Sequence, residues 1–338
     1  MRALVIGGSG FIGLNIVDEL LARGFEVRVT RRRKTPTMFL RKRAVELVEA
    51  DLENTAQLSE AMRGCDVAFL AAAYYPRYSL DFEASLREGV RGVKNACDAA
   101  LAASLPRLVY TSTIATLAAA GNRVADERDI PRTMPEGSVY RAVKWAMERE
   151  VDAAQRRGLD VVTLLPGGCI GPWDLRLGTG SVVVGVVRGL LPWWVDGTIN
   201  LIDVRDVARA HVAAAASKGA QGRYCLGGHD VRVGWLLAYI ATRYGGHMPM
   251  MQLSDSEARK RADEDEARAA PTRARVPVPR ELVDIATTGQ RVSLARAERE
   301  LGLTLTPLSR ALDDAHAWFV RFKYLPDTKG QQVTHAES

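Results

Sequence analysis

The chain has 338 residues, of which 47% are hydrophobic and 25% are charged. This balance is typical of globular proteins, and the length allows one large domain or two closely joined ones. The net charge of +6 comes from 46 Lys and Arg against 40 Asp and Glu. No helix-turn-helix, zinc or aromatic-platform motif accompanies the basic clusters, so we expect no nucleic-acid binding. No stretch approaches 18 uninterrupted apolar residues, so we expect no membrane span.

The cysteines and histidines are scattered along the chain. Cys65, Cys97, Cys169 and Cys225 show no CxxC spacing, which favours buried free thiols over disulfides or metal ligands. The histidines are equally dispersed, so no metal site is predicted. A predicted strand begins at the N-terminus and leaves no room for a signal peptide, so we expect a cytoplasmic protein.

The first predicted element is an apolar run over residues 3–6, followed by Gly7, Gly10 and Gly13 and then by helical spacing over 14–21. A run of that length bounded by glycine is typical of a strand buried on both faces. In a strand, glycine turn and helix, the N–H groups at the helix N-terminus can bind a dinucleotide pyrophosphate. The glycines would serve the tight turn, the phosphate approach and the helix–strand contact. An ordinary βα turn is the alternative.

The next predicted elements alternate between strands and helices. Strands are predicted over residues 26–30, 45–50, 67–71, 107–111 and 160–165, and the main helices over 80–104 and 139–157, the latter closed by Gly158. This order predicts an α/β fold with a doubly wound parallel sheet.

After residue 165 the pattern loosens into glycine- and proline-rich segments. We predict an NAD(P)-binding Rossmann domain mainly over 1–165. A smaller substrate-binding lobe is predicted mainly over 166–325, with some segments returning to the sheet, and a polar tail over 326–338. Residues 254–275 are dense in charge and alanine, which favours a solvated helix running into an extended linker.

Candidate catalytic residues lie in two of these elements. Tyr140 and Lys144 are four apart on a predicted helix and therefore share one face. A nearby ammonium lowers the pKa of a phenol, which suits Tyr140 to acid–base catalysis. Ser112 and Thr113 follow the fifth strand at the carboxyl edge, where a hydroxyl can stabilise an oxyanion. An exposed Tyr–Lys pair and hydroxyls that cap a strand are the alternatives.

The end of the second strand carries arginines rather than a carboxylate. NAD-binding sheets of this type place an acidic residue there to accept from the ribose 2′-OH. Arg31 and Arg32 would instead pair with a 2′-phosphate. NADP(H) is therefore the favoured cofactor, and NAD(H) is the alternative. The arginines could also belong to a solvated basic loop with no role in cofactor binding.

Taken together, these motifs resemble those of extended short-chain dehydrogenase/reductases. The chain is most similar to the branch of dihydroflavonol 4-reductase-like enzymes and hopanoid-associated sugar epimerases. The matching segments are residues 7–13, 51–52, 71–73, 110–113, 140–144, 166–172, 203–208, 224–228 and 296–302.

The resemblance implies roles for individual residues. Tyr140 would be the general acid/base, Lys144 its activator and ribose ligand, and Thr113 the catalytic hydroxyl, with Ser112 as the substitute. The cofactor-binding residues would be Gly7, Gly10, Phe11, Ile12, Gly13, Arg31, Arg32, Asp51, Leu52, Ala71, Ala72, Ala73, Tyr140, Lys144, Pro166 and Gly168. Asp51 and Leu52 would flank the adenine, and Pro166 and Gly168 would border the nicotinamide.

Three positions depart from the family pattern. Gly89 and Asp203 stand where many relatives have Asn and His, and residue 168 is not the Asn that holds a sugar diphosphate in the epimerases. We therefore expect a reductase or dehydrogenase acting on a ketone or secondary alcohol. An epimerase or dehydratase acting on a nucleotide sugar or lipid-linked sugar is the alternative, and a non-enzymatic nucleotide-binding protein is the third hypothesis.

Substrate and assembly are predicted from aromatic and apolar patterns. Aromatic residues in the loops favour an apolar, cyclic small-molecule substrate of terpenoid or steroid type, although they would equally suit a core. They are Tyr74, Tyr75, Tyr78, Trp173, Trp193 and Trp194. The helices over 80–104 and 139–157 resemble those that pair in family dimers, and Leu86, Val90, Val93 and Ala96 form an apolar stripe, so a homodimer is predicted.

Overall fold

The computed structural model describes residues 1–72, 74–76, 78, 80–118 and 123–327. Strands and helices alternate through its first half, as the hydrophobic pattern predicts. The strands are β1 (Arg2–Ile6), β2 (Glu26–Arg31), β3 (Val45–Glu49), β4 (Val67–Leu70), β5 (Leu108–Thr111), β6 (Val161–Pro166), β7 (Gly168–Ile170), β8 (Trp194–Val195), β9 (Thr198–Asp203), β10 (Gly222–Leu226), β11 (His229–Arg232) and β12 (Gln252–Leu253). The helices are α1 (Phe11–Ala22), α2 (Thr55–Met62), α3 (Phe82–Ala102), α4 (Val139–Arg156), α5 (Ser181–Val187), α6 (Val204–Ala216), α7 (Val233–Tyr244), α8 (Asp255–Ala269), α9 (Arg280–Thr288), α10 (Ala295–Leu301) and α11 (Leu308–Arg321).

The large sheet is parallel throughout and, within the described residues, has the strand order β10-β6-β5-β4-β1-β2-β3. The order reverses between β1 and β4, because β2 and β3 extend the sheet on one side of β1 and the later strands extend it on the other. Ligands of doubly wound sheets bind outside the carboxyl ends of the strands at such a reversal. The predicted doubly wound α/β fold is confirmed.

Two apolar cores cover the faces of this sheet. One lies under α1 and α6 and includes Leu14, Val17 and Val207, and the other lies under α2, α3 and α4 and includes Val93 and Met147. Central strands with apolar contacts on both faces explain why β1, β4 and β5 appear in the sequence as continuous hydrophobic runs.

The second half of the chain contributes to both lobes. β10 returns to the large sheet and pairs with β6, whereas β7, β9 and β11 form a separate small sheet. Helices α5, α7 and α11 pack together around a third apolar core. The domain boundary at residue 165 stays a prediction.

The charged segment 254–275 forms the predicted helix, which is mostly exposed but has one buried side. Helix α8 begins with a capping box between Ser254 and Glu257 and buries Ala258, Ala262 and the carboxylate residue Glu266. Its buried face packs with Trp193 and with residues of α9 in a separate apolar cluster. The helix is therefore exposed over most of its surface, as predicted, and its buried side packs against α9.

The described part of the chain has no helix that is long and apolar enough to cross a membrane. All four cysteines are buried and unpaired, as predicted.

Candidate active site

The turn after β1 is closed by three glycines. Gly7 has a φ of +91°, and a Cβ on it would lie 2.6 Å from the backbone nitrogen of Ala72. A Cβ on Gly13 would lie 2.2 Å from the carbonyl oxygen of Gly7. The Gly10 N–H donates to that same oxygen at 2.9 Å. Gly7 and Gly13 therefore have no space for a side chain, which lets α1 lie close against β1 and the end of β4.

Helix α1 begins at this turn without a side-chain cap. Gly10 is its N-cap residue, and no acidic residue lies in its first turn. Helices α2, α3 and α4, in contrast, are capped by Asn54, Asp81 and Ser138. The uncapped N–H groups at Phe11, Ile12 and Gly13 suit the pyrophosphate of a dinucleotide, since they present backbone donors and the positive end of the helix dipole.

Arg31 and Arg32 lie at the carboxyl end of β2, next to this turn. Arg31 is partly exposed and its guanidinium is 3.7 Å from the carboxylate of Glu49, while Arg32 is exposed. Arg43, from the second basic cluster, instead pairs with Asp18 and lies over the Trp173 ring at 4.7 Å. Arg31 and Arg32 therefore lie at the carboxyl end of β2, whereas Arg43 serves packing.

The predicted adenine and nicotinamide contacts surround the same edge of the sheet. Asp51 and Leu52 follow β3, and the Leu52 carbonyl accepts from the Asn95 side chain at 2.8 Å. Ala71 and Ala72 follow β4 beside Gly7, whereas Ala73 lies outside the described residues. Pro166 ends β6 and Gly168 begins β7.

Tyr140, Lys144 and Thr113 meet at the start of α4. Ser138 caps this helix by accepting from the Arg141 N–H, which fixes Tyr140 in the first turn. The Lys144 ammonium is 5.8 Å from the centroid of the Tyr140 ring, and Lys144 is only 5% exposed. The Thr113 hydroxyl lies near the Tyr140 phenol and acts to lower its pKa. Two hydroxyls and an ammonium thus converge in one corner.

Burial shifts the pKa values of this group. It raises the pKa of Tyr140, with the nearby carboxylate of Glu281 adding to the rise and the Thr113 hydroxyl opposing it. Burial also lowers the pKa of Lys144 to about 8, while Glu281 and Glu148 act to raise it. Tyr140 is therefore a hydroxyl at neutral pH, and Lys144 is largely an ammonium.

Ser112 is directed away from Tyr140. Its hydroxyl donates to the carboxylate of Glu148, which is also paired with Arg223 at 3.2 Å. The preceding Thr111 bonds His211, whose other ring nitrogen bonds the Val207 carbonyl. Ser112 and Thr113 both lie beside α4, but the Ser112 hydroxyl is held by Glu148, so Thr113 is the hydroxyl of these three that acts on Tyr140.

A carboxylate that the sequence reasoning missed, Glu281, enters the site from α9. It is 9% exposed, and the nearby Tyr75 hydroxyl acts to lower its pKa. The Tyr75 ring lies 5.4 Å from the Tyr140 ring. Glu281 follows Tyr140 by more than a hundred residues, and no motif surrounds it, so only the fold brings it here. Its position in the first turn of a helix that begins after Pro279 was the one available signal.

The tryptophans expected to line a substrate pocket are packing residues. Trp193 is 2% exposed in the core between α8 and α9, and Trp194 packs in the core around α7. Trp173 contacts the rings of Phe39, Trp318 and Phe322. Of the aromatic residues predicted for the pocket, Tyr75 is the one whose ring contacts Tyr140.

The positions that depart from the family pattern have structural explanations. A Cβ on Gly89 would lie 2.8 Å from Val143, so α3 approaches α4 too closely for a side chain there. Asp203 caps α6 by accepting from the Arg205 N–H at 2.8 Å. A Cβ on Gly168 would lie 3.1 Å from the Asn200 carbonyl oxygen, so this position is crowded by β9.

The described residues contain no cluster of His, Cys, Asp or Glu that could hold a metal ion. The arrangement offers an uncapped helix N-terminus for a pyrophosphate, a buried ammonium, and two hydroxyls that can exchange a proton with a substrate oxygen. It suits proton transfer coupled to a dinucleotide cofactor.

Comparisons with known proteins agree with this geometry. The model of the NAD dependent epimerase/dehydratase family matches residues 3–227. A protein of Synechocystis sp. named "Putative dihydroflavonol 4-reductase" is 32% identical over 330 residues, which cover 95% of each chain. Sterol demethylase protein B of Methylococcus capsulatus is 29% identical over 327 residues, covering 94% of this chain and 98% of that protein.

A solved structure supports the same family assignment. The crystal structure of a nucleoside-diphosphate-sugar epimerase from Pseudomonas aeruginosa superimposes with a TM-score of 0.80 and 25% identity, covering 96% of this chain and 99% of that one. The predicted resemblance to extended short-chain dehydrogenase/reductases is confirmed.

Proposed function

This chain belongs to the NAD dependent epimerase/dehydratase family, and from that premise we propose that it is an NADP(H)-dependent oxidoreductase. It interconverts a ketone and a secondary alcohol on a small, apolar or cyclic substrate. The observation that carries the proposal is the convergence of Tyr140, Thr113 and Lys144 beside an uncapped helix N-terminus.

Each residue has a defined part in that reaction. The nicotinamide, when bound, supplies or accepts the hydride. Tyr140 donates its proton to the substrate oxygen during reduction and accepts it back during oxidation. The Thr113 hydroxyl donates a hydrogen bond to the same oxygen and stabilises the developing negative charge. The Lys144 ammonium stabilises the Tyr140 phenolate and binds the ribose hydroxyls.

Two observations favour a reductase over an epimerase. Residue 168 is a glycine, so it offers no side chain to bind a sugar diphosphate, and β9 crowds that position. Two relatives are named "Putative dihydroflavonol 4-reductase" and "Sterol demethylase protein B", and these names refer to a flavonoid and a sterol, both of which are polycyclic. An apolar cyclic ketone is therefore the substrate class that we propose.

The experiment is a screen of cyclic ketones with purified protein, following NADPH absorbance. We expect protein that purifies largely free of cofactor and oxidises one NADPH for each ketone reduced. Protein that retains tightly bound NAD and interconverts nucleotide sugars without added cofactor would refute the reductase and establish the epimerase.

The preference for NADP(H) is proposed from Arg31 and Arg32. Replacement of Arg31→Asp together with Arg32→Ala removes two cations from the 2′ position, so NADPH affinity should fall toward or below that for NADH. Arg23→Asp is the matched control, because Arg23 is exposed just after α1, far from the turn that begins it. Equal affinities for NADPH and NADH in the unmodified protein, titrated by fluorescence at fixed salt, would contradict the proposal.

We further propose a cytoplasmic homodimer. The apolar stripe of α3, from which a dimer is predicted, is partly buried within the subunit. Val93 and Ala96 both lie in the core under α2, α3 and α4. The outward face of α3 carries Arg91 and Lys94, which pair with Glu53 and Asp98. Light scattering at micromolar concentration tests the dimer, and a monomeric mass would refute it.

A further inference from the structure

A strap of residues 273–279 connects the short 3-10 turn that follows α8 to the start of α9. It has no regular secondary structure, and most of its residues are exposed, whereas Val276 is buried. Arg273, its first residue, has a φ of +55°, a left-handed conformation that is unfavourable for a residue with a side chain. Pro277 and Pro279 have no backbone N–H, so they cannot anchor the strap by donating to a neighbouring strand or helix.

One side of the strap is bonded to the loop after β4. The Tyr78 hydroxyl donates to the carbonyl oxygen of Ala274 at 2.6 Å. The same loop carries Tyr75, whose ring lies 5.4 Å from that of Tyr140. Tyr75 is 56% exposed, so a cleft lies open beside these two rings. The strap is therefore attached to the loop that forms one wall of the Tyr140 cleft.

The other side of the strap is bonded to the loop after β7. The Arg275 guanidinium donates to the carbonyl oxygens of Leu177 and of Arg176, the latter at 3.3 Å. Asp174 fixes this loop, because its buried carboxylate accepts from the Gly178 N–H at 2.8 Å. The strap therefore crosses from the loop after β4 to the loop after β7.

The strap ends beside the segment that leads into α4. Arg280, the first residue of α9, donates to the Gly137 carbonyl oxygen at 3.5 Å, and Gly137 lies three residues before Tyr140. The Arg280 N–H also donates to the buried carboxylate of Glu266 at 2.9 Å, which holds the start of α9 against α8. One short segment thus joins three loops around Tyr140, and its α9 end is fixed.

The middle of the strap is attached by hydrogen bonds that can be broken at low cost. Those of Tyr78 and Arg275 are both exposed to solvent. Exposed segments with few buried contacts open locally far more often than the whole protein unfolds. Segments that open and close over an active site control substrate entry, and their motion limits the turnover of many enzymes.

We propose that the strap is a gate across the Tyr140 cleft, closed by Tyr78 and Arg275 and opened to admit a substrate. The inference rests on the proposed function, which places the substrate oxygen at Tyr140. Arg273 is the hinge at one end, because its unfavourable backbone conformation is free to change when the strap lifts. Both acceptors are backbone carbonyls, so closure depends on the Tyr78 and Arg275 side chains rather than on the side chains of the residues they bond.

Trypsin cleavage tests the opening of the strap without substrate or cofactor. The Arg275 side chain must leave the Leu177 carbonyl before it can enter the protease, so cleavage after Arg275 follows the open fraction. Tyr78→Phe removes one hydrogen bond and leaves Arg275 in place. Cleavage after Arg275 should become about two- to tenfold faster, the effect of one lost hydrogen bond. Tyr239→Phe, on α7, is the matched control. An unchanged rate in Tyr78→Phe would overturn the inference.

Labelling with pyrenylmaleimide tests whether the strap controls entry. Thr113→Cys places a thiol near Tyr140, while the four native cysteines are buried. The reagent is a flat apolar polycycle, like the substrate class that we propose. In the Thr113→Cys protein, Tyr78→Phe and Arg275→Gln should each make labelling at residue 113 about two- to tenfold faster, and Tyr239→Phe should not. Labelling that is equally fast with and without these substitutions would overturn the gate.

The two strap variants are independent of each other. Arg275→Gln keeps the labelling test decisive if a thermal melt shows that Tyr78→Phe disturbs folding. Neither measurement uses a ketone or NADPH, whereas the ketone screen does not depend on the strap. Failure of the gate is therefore distinguishable from failure of the proposed function.

Discussion

Replacement of Gly13→Ala tests whether the turn after β1 binds the cofactor. The added Cβ would lie 2.2 Å from the Gly7 oxygen, 2.8 Å from the Gly7 carbonyl carbon and 2.9 Å from the Gly8 Cα. Ordinary carbon contacts begin at about 3.5 Å, so α1 must move by roughly 1 Å. All three contacts are backbone atoms, which have no rotamer to change. Overpacking of this kind costs about 1–3 kcal/mol of folding stability.

The same displacement moves the N–H groups of Phe11 and Ile12. Loss of one to two charge-assisted hydrogen bonds to a pyrophosphate corresponds to about 2–3 kcal/mol, or a dissociation constant for NADPH raised roughly 30- to 150-fold. Fluorescence titration at fixed salt measures this change, and a thermal melt checks folding. Gly219→Ala is the control, because nothing lies within 4 Å of a Cβ there. An affinity of Gly13→Ala within about threefold of the parent would show that the turn does not bind the pyrophosphate.

Three further expectations concern the catalytic corner and its support. Tyr140→Phe should lower turnover of the ketone identified by the screen about 10²–10⁴-fold with little change in NADPH affinity, and more than about a tenth of the activity remaining would contradict its role. Thr113→Val should lower kcat about 10²–10³-fold, whereas Ser112→Ala should mainly lower the free energy of unfolding, by about 1–3 kcal/mol, because Glu148 loses a buried donor; the reverse pattern in kinetics and urea melts would exchange their roles. His211 has its pKa lowered by burial to about 4. Because its unfolded pKa is about 6.5, the unfolded state binds the proton first as pH falls. Stability should therefore be full above pH 6.5 and decrease toward pH 4 by up to about 3 kcal/mol, and His211→Gln should flatten that dependence in urea melts.

The features predictable from the sequence are those that depend on near neighbours in the chain. The turn from Gly7 to Gly13 and the pairing of Tyr140 with Lys144 follow from spacings of three and four residues, which fix their geometry locally. Glu281 could not be found in this way, because its contact with Tyr75 depends on how α9 packs against the first half of the chain. The prediction that Trp193 lines a substrate pocket was wrong for the same reason. The sequence around an aromatic loop residue does not show which side chains it packs against. The choice between Ser112 and Thr113 depends on the distant Glu148, which accepts from the Ser112 hydroxyl.

The return of β10 to the edge of the large sheet has a consequence for how the protein is made. β10 supplies the hydrogen-bonding partner of β6 along residues 162–166 and begins more than fifty residues after β6 ends. A nascent chain that has just left the ribosome through β6 presents that strand as an open edge, with apolar residues on both faces. Such an edge is a template for pairing with other chains. A fragment ending at residue 165 should therefore aggregate, and aggregation during synthesis should cease once the chain has emerged past residue 226.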